Sequence, residues 1–100
     1  MAFSDSYSGL QHIGIPTHDL AAAEAFWTKL GFTKIGDFPV GQVIFMQRDN
    51  LVIETWYQEA VANQPGAINH ISLDTTDAEA AFAAAKAEGF DLIDSEVQQL

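Results

Sequence analysis

Three side chains in this sequence have the types and the setting to hold a divalent metal ion: His12, Glu54 and His70. Each stands inside a run that reads as a β-strand. These runs are Leu10-Gln11-His12-Ile13-Gly14-Ile15-Pro16, Leu51-Val52-Ile53-Glu54-Thr55-Trp56-Tyr57 and Ile68-Asn69-His70-Ile71-Ser72-Leu73. Side chains alternate between the two faces of a strand. His12 therefore points away from Ile13 and Ile15, His70 away from Ile71 and Leu73, and Glu54 away from Ile53, on the side of Val52 and Trp56. Two imidazoles and one carboxylate suit a borderline divalent ion such as nickel, zinc, cobalt, manganese or iron. Each residue taken alone has a plainer reading. A strand histidine is commonly a hydrogen-bonded polar residue, and Glu54 fits an exposed strand face; buried in so apolar a strand, its carboxylate would need a cation or donors. Trp56 can wall a pocket beside Glu54 or simply pack in a core.

What lifts the histidines above that background is an internal repeat. An offset of 58 positions lays His12 on His70 without a gap, Leu10–Asp19 on Ile68–Asp77, Gly31-Phe32 on Gly89-Phe90, and Ile35 on Ile93. A long period occurring twice is not a solenoid, which needs several short units. It implies two copies of one supersecondary module, with one site shared between them.

The elements that must position these residues follow from periodicity and punctuation. Residues 1–9 read as a flexible leader. The first module, residues 10–58, opens with a strand over Leu10–Pro16. Asp19 is a suitable N-cap, and Ala23, Phe26, Trp27 and Leu30 give the next helix one apolar face. Gly31 is placed to end that helix in a left-handed conformation. Strands follow over Phe32–Phe38, Val43–Arg48 and Leu51–Tyr57, with turns at Pro39/Gly41 and Asp49-Asn50. Residues 59–67 form a linker. The second module, residues 68–100, reads as a strand over Ile68–Thr75, a helix over Ala78–Glu88 stopped by Gly89, and a strand over Phe90–Val97. Its start carries two competing caps, Asp77 and the capping box Thr76-x-x-Glu79. Two further strands would run from about 98 to 115 by the same offset. The second module is thus incomplete at its C-terminus, leaving an open sheet edge.

Composition narrows the function classes. The formal net charge is −10, and Lys29, Lys34, Arg48 and Lys86 are the full complement of lysine and arginine. Such a chain lacks the basic surface that a nucleic-acid binder uses to displace counterions, and an acidic membrane would repel it. No run is long and apolar enough for a membrane span. The absence of cysteine excludes thiol chemistry and disulfides and fits a cytoplasmic location. No glycine-rich phosphate loop and no nucleophile elbow is present.

From Leu10 to about Val97 the pattern resembles the vicinal oxygen chelate superfamily, which includes glyoxalase I, bleomycin-resistance proteins, extradiol dioxygenases and methylmalonyl-CoA epimerases. The resemblance rests on Gln11-His12-Ile13-Gly14-Ile15, Phe26-Trp27-Thr28-Lys29-Leu30-Gly31-Phe32, Leu51-Val52-Ile53-Glu54-Thr55 and Asn69-His70-Ile71-Ser72-Leu73. It implies an α+β fold of paired βαβββ modules whose curled sheets enclose a metal site. In the glyoxalase I order of ligands, His, Glu, His, Glu, the first three places fall on His12, Glu54 and His70. The fourth falls beyond Leu100. Extradiol dioxygenases usually have no ligand at the place of Glu54, so its presence tilts the resemblance toward glyoxalase I and the epimerases. It implies a metal-dependent lyase or isomerase that chelates a small carbonyl substrate through two neighbouring oxygens and stabilises an enediolate, in a homodimer, with the proton moved by Glu54 leaving the metal or by the fourth carboxylate. The region Ile15-Pro16-Thr17-His18 lacks the arginine that holds glutathione in glutathione-dependent relatives. A competing expectation is a metal-free drug-binding protein of the bleomycin-resistance type, with its ligand near Trp56.

Overall fold

The structure is a computed structural model that describes residues 2–61, 66 and 68–98. The chain divides into two compact units, Met1–Gln64 and Pro65–Leu100. In the first unit a short 3-10 turn, Phe3–Asp5, interrupts the expected leader and is exposed to solvent. Then come β1 (Ile13–Thr17), α1 (Leu20–Lys29), β2 (Thr33–Phe38), β3 (Val43–Arg48) and β4 (Leu51–Tyr57).

The four strands form one sheet in the order β1-β4-β3-β2. β1 runs parallel to β4, with Ile13 opposite Ile53 and Gly14 opposite Glu54. The other pairs are antiparallel and built from tight connections, so β2, β3 and β4 form a meander. β1 is an outer strand, which is where Pro16 can be accommodated without breaking a ladder. Helix α1 packs on β2, β3 and β4. The face beneath it carries Ile44, Met46, Ile53 and Thr55, all but fully buried, and Trp27 and Phe32 complete this core.

Both ends of α1 are set by sequence. The Asp19 side chain accepts a hydrogen bond from the Ala22 N–H at 3.0 Å, and the Asp19 N–H donates to Thr17 Oγ1 at 3.1 Å. At the other end the N–H of Gly31 bonds the Thr28 carbonyl, and the N–H of Phe32 bonds the Trp27 carbonyl. This is a Schellman closure, with Gly31 at φ 93° and the Trp27 and Phe32 rings 5.0 Å apart. Arg48 Nη1 donates to the Gly31 carbonyl at 3.4 Å.

The second unit repeats this local design. Its helix α2 (Ala78–Ala87) is capped by Asp77, whose side chain accepts from Ala80 at 3.0 Å, so Asp77 prevails over the Thr76/Glu79 box. Gly89 at φ 80° and Phe90 make the same closure to Lys86 and Ala85. The 58-residue repeat is therefore a repeat of backbone geometry. Among the described residues of this unit, α2 is the one regular element. The strands expected over Ile68–Thr75 and Phe90–Val97 are corrected: neither carries a ladder. A strand exists only as one side of a hydrogen-bonded pair, and no partner strand lies within this unit's described residues. Residues 62–65 and 67 of the expected linker lie outside the described residues, as do residues 99 and 100 of the second module.

Two further expectations are corrected. Phe26, expected in the core, is half-exposed and meets the Trp27 ring edge-on at 5.3 Å. β1 begins at Ile13 rather than Leu10, so His12 stands just before its first ladder residue.

The two glycines at the helix ends give a sharp comparison. At Gly31 a side chain would combine a left-handed backbone with a collision against the Arg48 guanidinium, whereas Gly89 has open surroundings. Gly31→Ala is expected to cost roughly 1–2 kcal/mol of left-handed strain plus only the small extra of moving the flexible Arg48 end off the Gly31 carbonyl, and Gly89→Ala to stay within that range. Urea denaturation of the two variants checks the difference.

Candidate metal and substrate site

The face of the sheet opposite α1 holds the site. Strand parity and register place His12 and Gly14 from the β1 segment, Val52, Glu54 and Trp56 from β4, and Val43, Phe45 and Gln47 from β3 on this side. β2 joins them through a bulge. Lys34 pairs with Met46 and Gly36 with Phe45, leaving Ile35 as the extra residue. That single insertion reverses the parity of the strand. It leaves Lys34 on the helix side, 3.3 Å from Glu24 of α1, and brings Phe38 to the open face, 6.0 Å from the Phe45 ring. The Lys34 ammonium is held above its ordinary pKa by hydrogen bonds to Asp37 and then Glu24.

On the open face His12 Nε2 lies 3.4 Å from Glu54 Oε1. The His12 ring stands edge-on to Phe45 at 5.7 Å. Both residues are about one-third exposed, at 34% and 29% for their side chains. The indole of Trp56 leans across β1 at Gly14. A Cβ at Gly14 would come within 3.1 Å of the indole and 3.8 Å of Glu54 Oε1. Gly14 therefore opens the space that lets Trp56 lie beside the carboxylate, which a side chain on this edge strand would close.

The separation within the pair is chemically informative. A charge-assisted N–H···O bond is about 2.7–2.9 Å long, so 3.4 Å is slack for a direct hydrogen bond. Two donors bound to one tetrahedral ion at about 2.0–2.1 Å each lie roughly 3.3 Å apart. An imidazole nitrogen and a carboxylate oxygen are also the ligand types that zinc and its neighbours take. His12 and Glu54 thus fit a divalent ion as two of its protein ligands.

The second unit carries His70, exposed, with Nδ1 2.9 Å from Asn69 Oδ1. His12 makes the matching contact, Nδ1 to Gln11 Oε1 at 2.7 Å. Among the described residues no group of three His, Cys, Asp or Glu side chains gathers as a metal cluster. His18 follows β1 in an exposed bend. What alternation did not reveal is the aromatic company of the pair, Phe45 and Phe38. The Lys34-Ile35-Gly36 run held one signal, since a glycine inside a strand often marks a bulge.

The fold agrees with the family comparison. The sequence profile of the Glyoxalase/Bleomycin resistance protein/Dioxygenase superfamily matches residues 11–100, and the chain belongs to that superfamily. The sheet of four strands with its covering helix is one βαβββ module of that fold. No curated protein matches the chain. No helix among the described residues is long and apolar enough to cross a membrane.

Proposed function

We propose that this protein is a metal-dependent enzyme of lyase or isomerase type that acts on a small carbonyl substrate, with His12, Glu54 and His70 as protein ligands. The observation that carries the reading is the 3.4 Å approach of His12 Nε2 to Glu54 Oε1, the span that a shared tetrahedral ion would set. His70 enters through the repeat, which gives it the same Nδ1 contact as His12. When bound, a divalent ion supplies Lewis acidity to neighbouring oxygens of the substrate.

The chain's own residues do the rest. Glu54 Oε2 accepts the proton from the carbon next to the substrate carbonyl and returns it at the neighbouring position. Gln11 holds the His12 ring through Nδ1, and the ring turns its Nε2 toward the carboxylate. Trp56 and Phe45 wall the reacting groups from water and present apolar surface to the substrate's carbon skeleton. Only four lysine and arginine residues are present, which favours substrates of low anionic charge. The reading includes a homodimer, in keeping with a sheet whose outer strands β1 and β2 end the order.

The test is metal content per chain, by plasma mass spectrometry, after incubation with nickel, zinc or manganese. Near-stoichiometric metal in the wild type and its loss in His70→Ala are expected. No metal in either protein would overturn the enzymatic reading.

A second reading has its own observation, the aromatic surface of Trp56, Phe45 and Phe38 on the open face. It is a metal-free binding protein for an apolar or cationic small molecule, with the −10 charge favouring a cation. Saturable quenching of tryptophan fluorescence in the metal-free protein, lost in Trp56→Phe while Trp27 remains, would favour it.

A further inference from the structure

Two glycines on the open face of the first unit serve as seats for aromatic rings. Gly14 lies on β1 and Gly36 on β2, the two outer strands of the sheet. A Cβ at Gly14 would stand 3.1 Å from the Trp56 indole. A Cβ at Gly36 would stand 3.2 Å from the Phe38 ring and 3.4 Å from that of Phe45. Carbon atoms pack best about 3.5–4.0 Å apart, so a side chain at either place would push the rings outward. With glycine there, the rings settle low on both flanks of the face. They are not sealed in a core: Trp56 and Phe45 are half-buried and Phe38 is 56% exposed. Phe45 links the group to the candidate metal pair, edge-on to Phe38 at 6.0 Å and to His12 at 5.7 Å.

The charges of the unit are sorted between the two faces of the same sheet. Its lysine and arginine side chains are Lys29, Lys34 and Arg48. Lys29 belongs to the last turn of α1. Arg48 shares the parity of Ile44 and Met46 and donates to the Gly31 carbonyl at the end of that helix. Lys34 is the telling case. Unbroken alternation from Gly36 would place it on the open face. The bulge at Ile35 turns it to the helix side, where Asp37 and Glu24 accept from its ammonium at 2.8 and 3.3 Å. Among the described residues of this unit, the open face keeps the Glu54 carboxylate and has no lysine or arginine. An anionic ligand would meet like charge there. A neutral aromatic ring would instead find rings to meet edge-on or offset, which is worth more than its buried area alone.

We propose that Trp56, Phe45 and Phe38 form a subsite for an uncharged aromatic ring, so that the substrate class of this site is a neutral aryl carbonyl compound. Gly14 and Gly36 set the depth of the subsite, and the bulge at Ile35 keeps it free of positive charge. This inference rests on the reading above for the carbonyl that reacts beside Glu54, but the preference for a ring belongs to the metal-free chain.

The experiment is proton–nitrogen correlation NMR of the labelled, metal-free full chain, titrated with four ketones. They are acetophenone, its saturated counterpart acetylcyclohexane, the anion para-acetylbenzoate and the cation para-acetyl-trimethylanilinium. Ligands of this size bind at about the millimolar level. Acetophenone should shift the amides of Gly14 and Gly36 and the indole N–H of Trp56, and leave the indole of Trp27 in place. It should bind roughly 2–10-fold more tightly than acetylcyclohexane, and several-fold more tightly than the benzoate. Phe38→Leu should erase much of the preference for the ring. Phe38→Lys should draw the benzoate level with acetophenone or past it, with a thermal melt to show that each variant is folded. Equal binding of acetophenone and acetylcyclohexane, shifts that miss Gly14 and Gly36, or no binding at all would overturn the proposal. Tightest binding of the anilinium would overturn it in favour of the cation-binding reading. Acetophenone shifts that fade as sedimentation shows a dimer forming would give the face to a second copy of the chain and overturn it too. Zinc titration of the same samples separates the subsite from the reading it serves. A ring preference without zinc uptake supports the subsite and removes the metal reading. Zinc uptake without a ring preference removes the subsite and keeps the metal.

Discussion

Glu54→Gln is expected to leave the fold standing and to end the chemistry. The amide keeps the shape of the carboxylate, and Glu54 is about one-third exposed on the sheet face away from α1, so no core contact is lost. Surface substitutions of this kind change stability by only about 0.5 kcal/mol. A neutral amide is a poor ligand for a borderline divalent ion and cannot take up a proton. Metal affinity should therefore fall more than the roughly 100-fold that follows loss of a supporting residue. Turnover of any carbonyl substrate should fall by about 10²–10⁴-fold, the scale of a lost acid–base group. His12→Ala should match the loss of affinity. Calorimetric zinc or nickel titration beside a thermal melt makes the check. A folded Glu54→Gln protein that retains both metal and turnover would remove Glu54 from the centre of the mechanism.

The second large effect lies one residue away and on the other side of the sheet. Ile53 is fully buried beneath α1, whereas its neighbour Val52 faces the open side and is partly exposed. Ile53→Ala removes apolar volume from a packed site and is expected to cost about 2–5 kcal/mol. In a unit of this size each kcal/mol lowers Tm by about 4–8 °C. The first unit should therefore melt on the order of 10–40 °C earlier. Val52→Ala should cost well under half as much. Melting followed by circular dichroism distinguishes the two. Equal losses would mean that the two faces of β4 have been assigned wrongly, and with them the setting of Glu54.

The parts of the fold that were legible in the sequence are those written in local chemistry. The runs Val43–Arg48 and Leu51–Tyr57 are β3 and β4 to the residue, because β-branched and aromatic residues lie between turn residues with no competing signal. Asp19 and Gly31 marked the ends of α1 through capping and a positive φ, and Gly89 marked the end of α2, whose start the sequence left between Asp77 and the Thr76/Glu79 box. The parity that sets His12 and Glu54 on one face was legible for the same reason. What periodicity cannot hold is which neighbour lies across a ladder. The lean of Trp56 over Gly14 and the edge contact of Phe45 with His12 depend on register between strands distant in sequence. Phe26 has the spacing of a core residue, but Trp27 beside it takes the buried place under the sheet. Ile68–Thr75 has a strand's composition, and a strand is a property of two segments rather than one.

The parallel alignment of β1 with β4 has a kinetic side. β2, β3 and β4 are joined through neighbours in sequence, with connections that close quickly, whereas β1 must reach across α1 and the whole meander to meet its partner. Contacts between such distant segments are slow to form and are the first to be released when an edge opens locally. His12 rides on that late-arriving strand and Glu54 on the early one. The acid–imidazole pair therefore exists only once the longest loop of the unit has closed. Amide exchange along β1 should report the opening of the site while β3 and β4 stay protected.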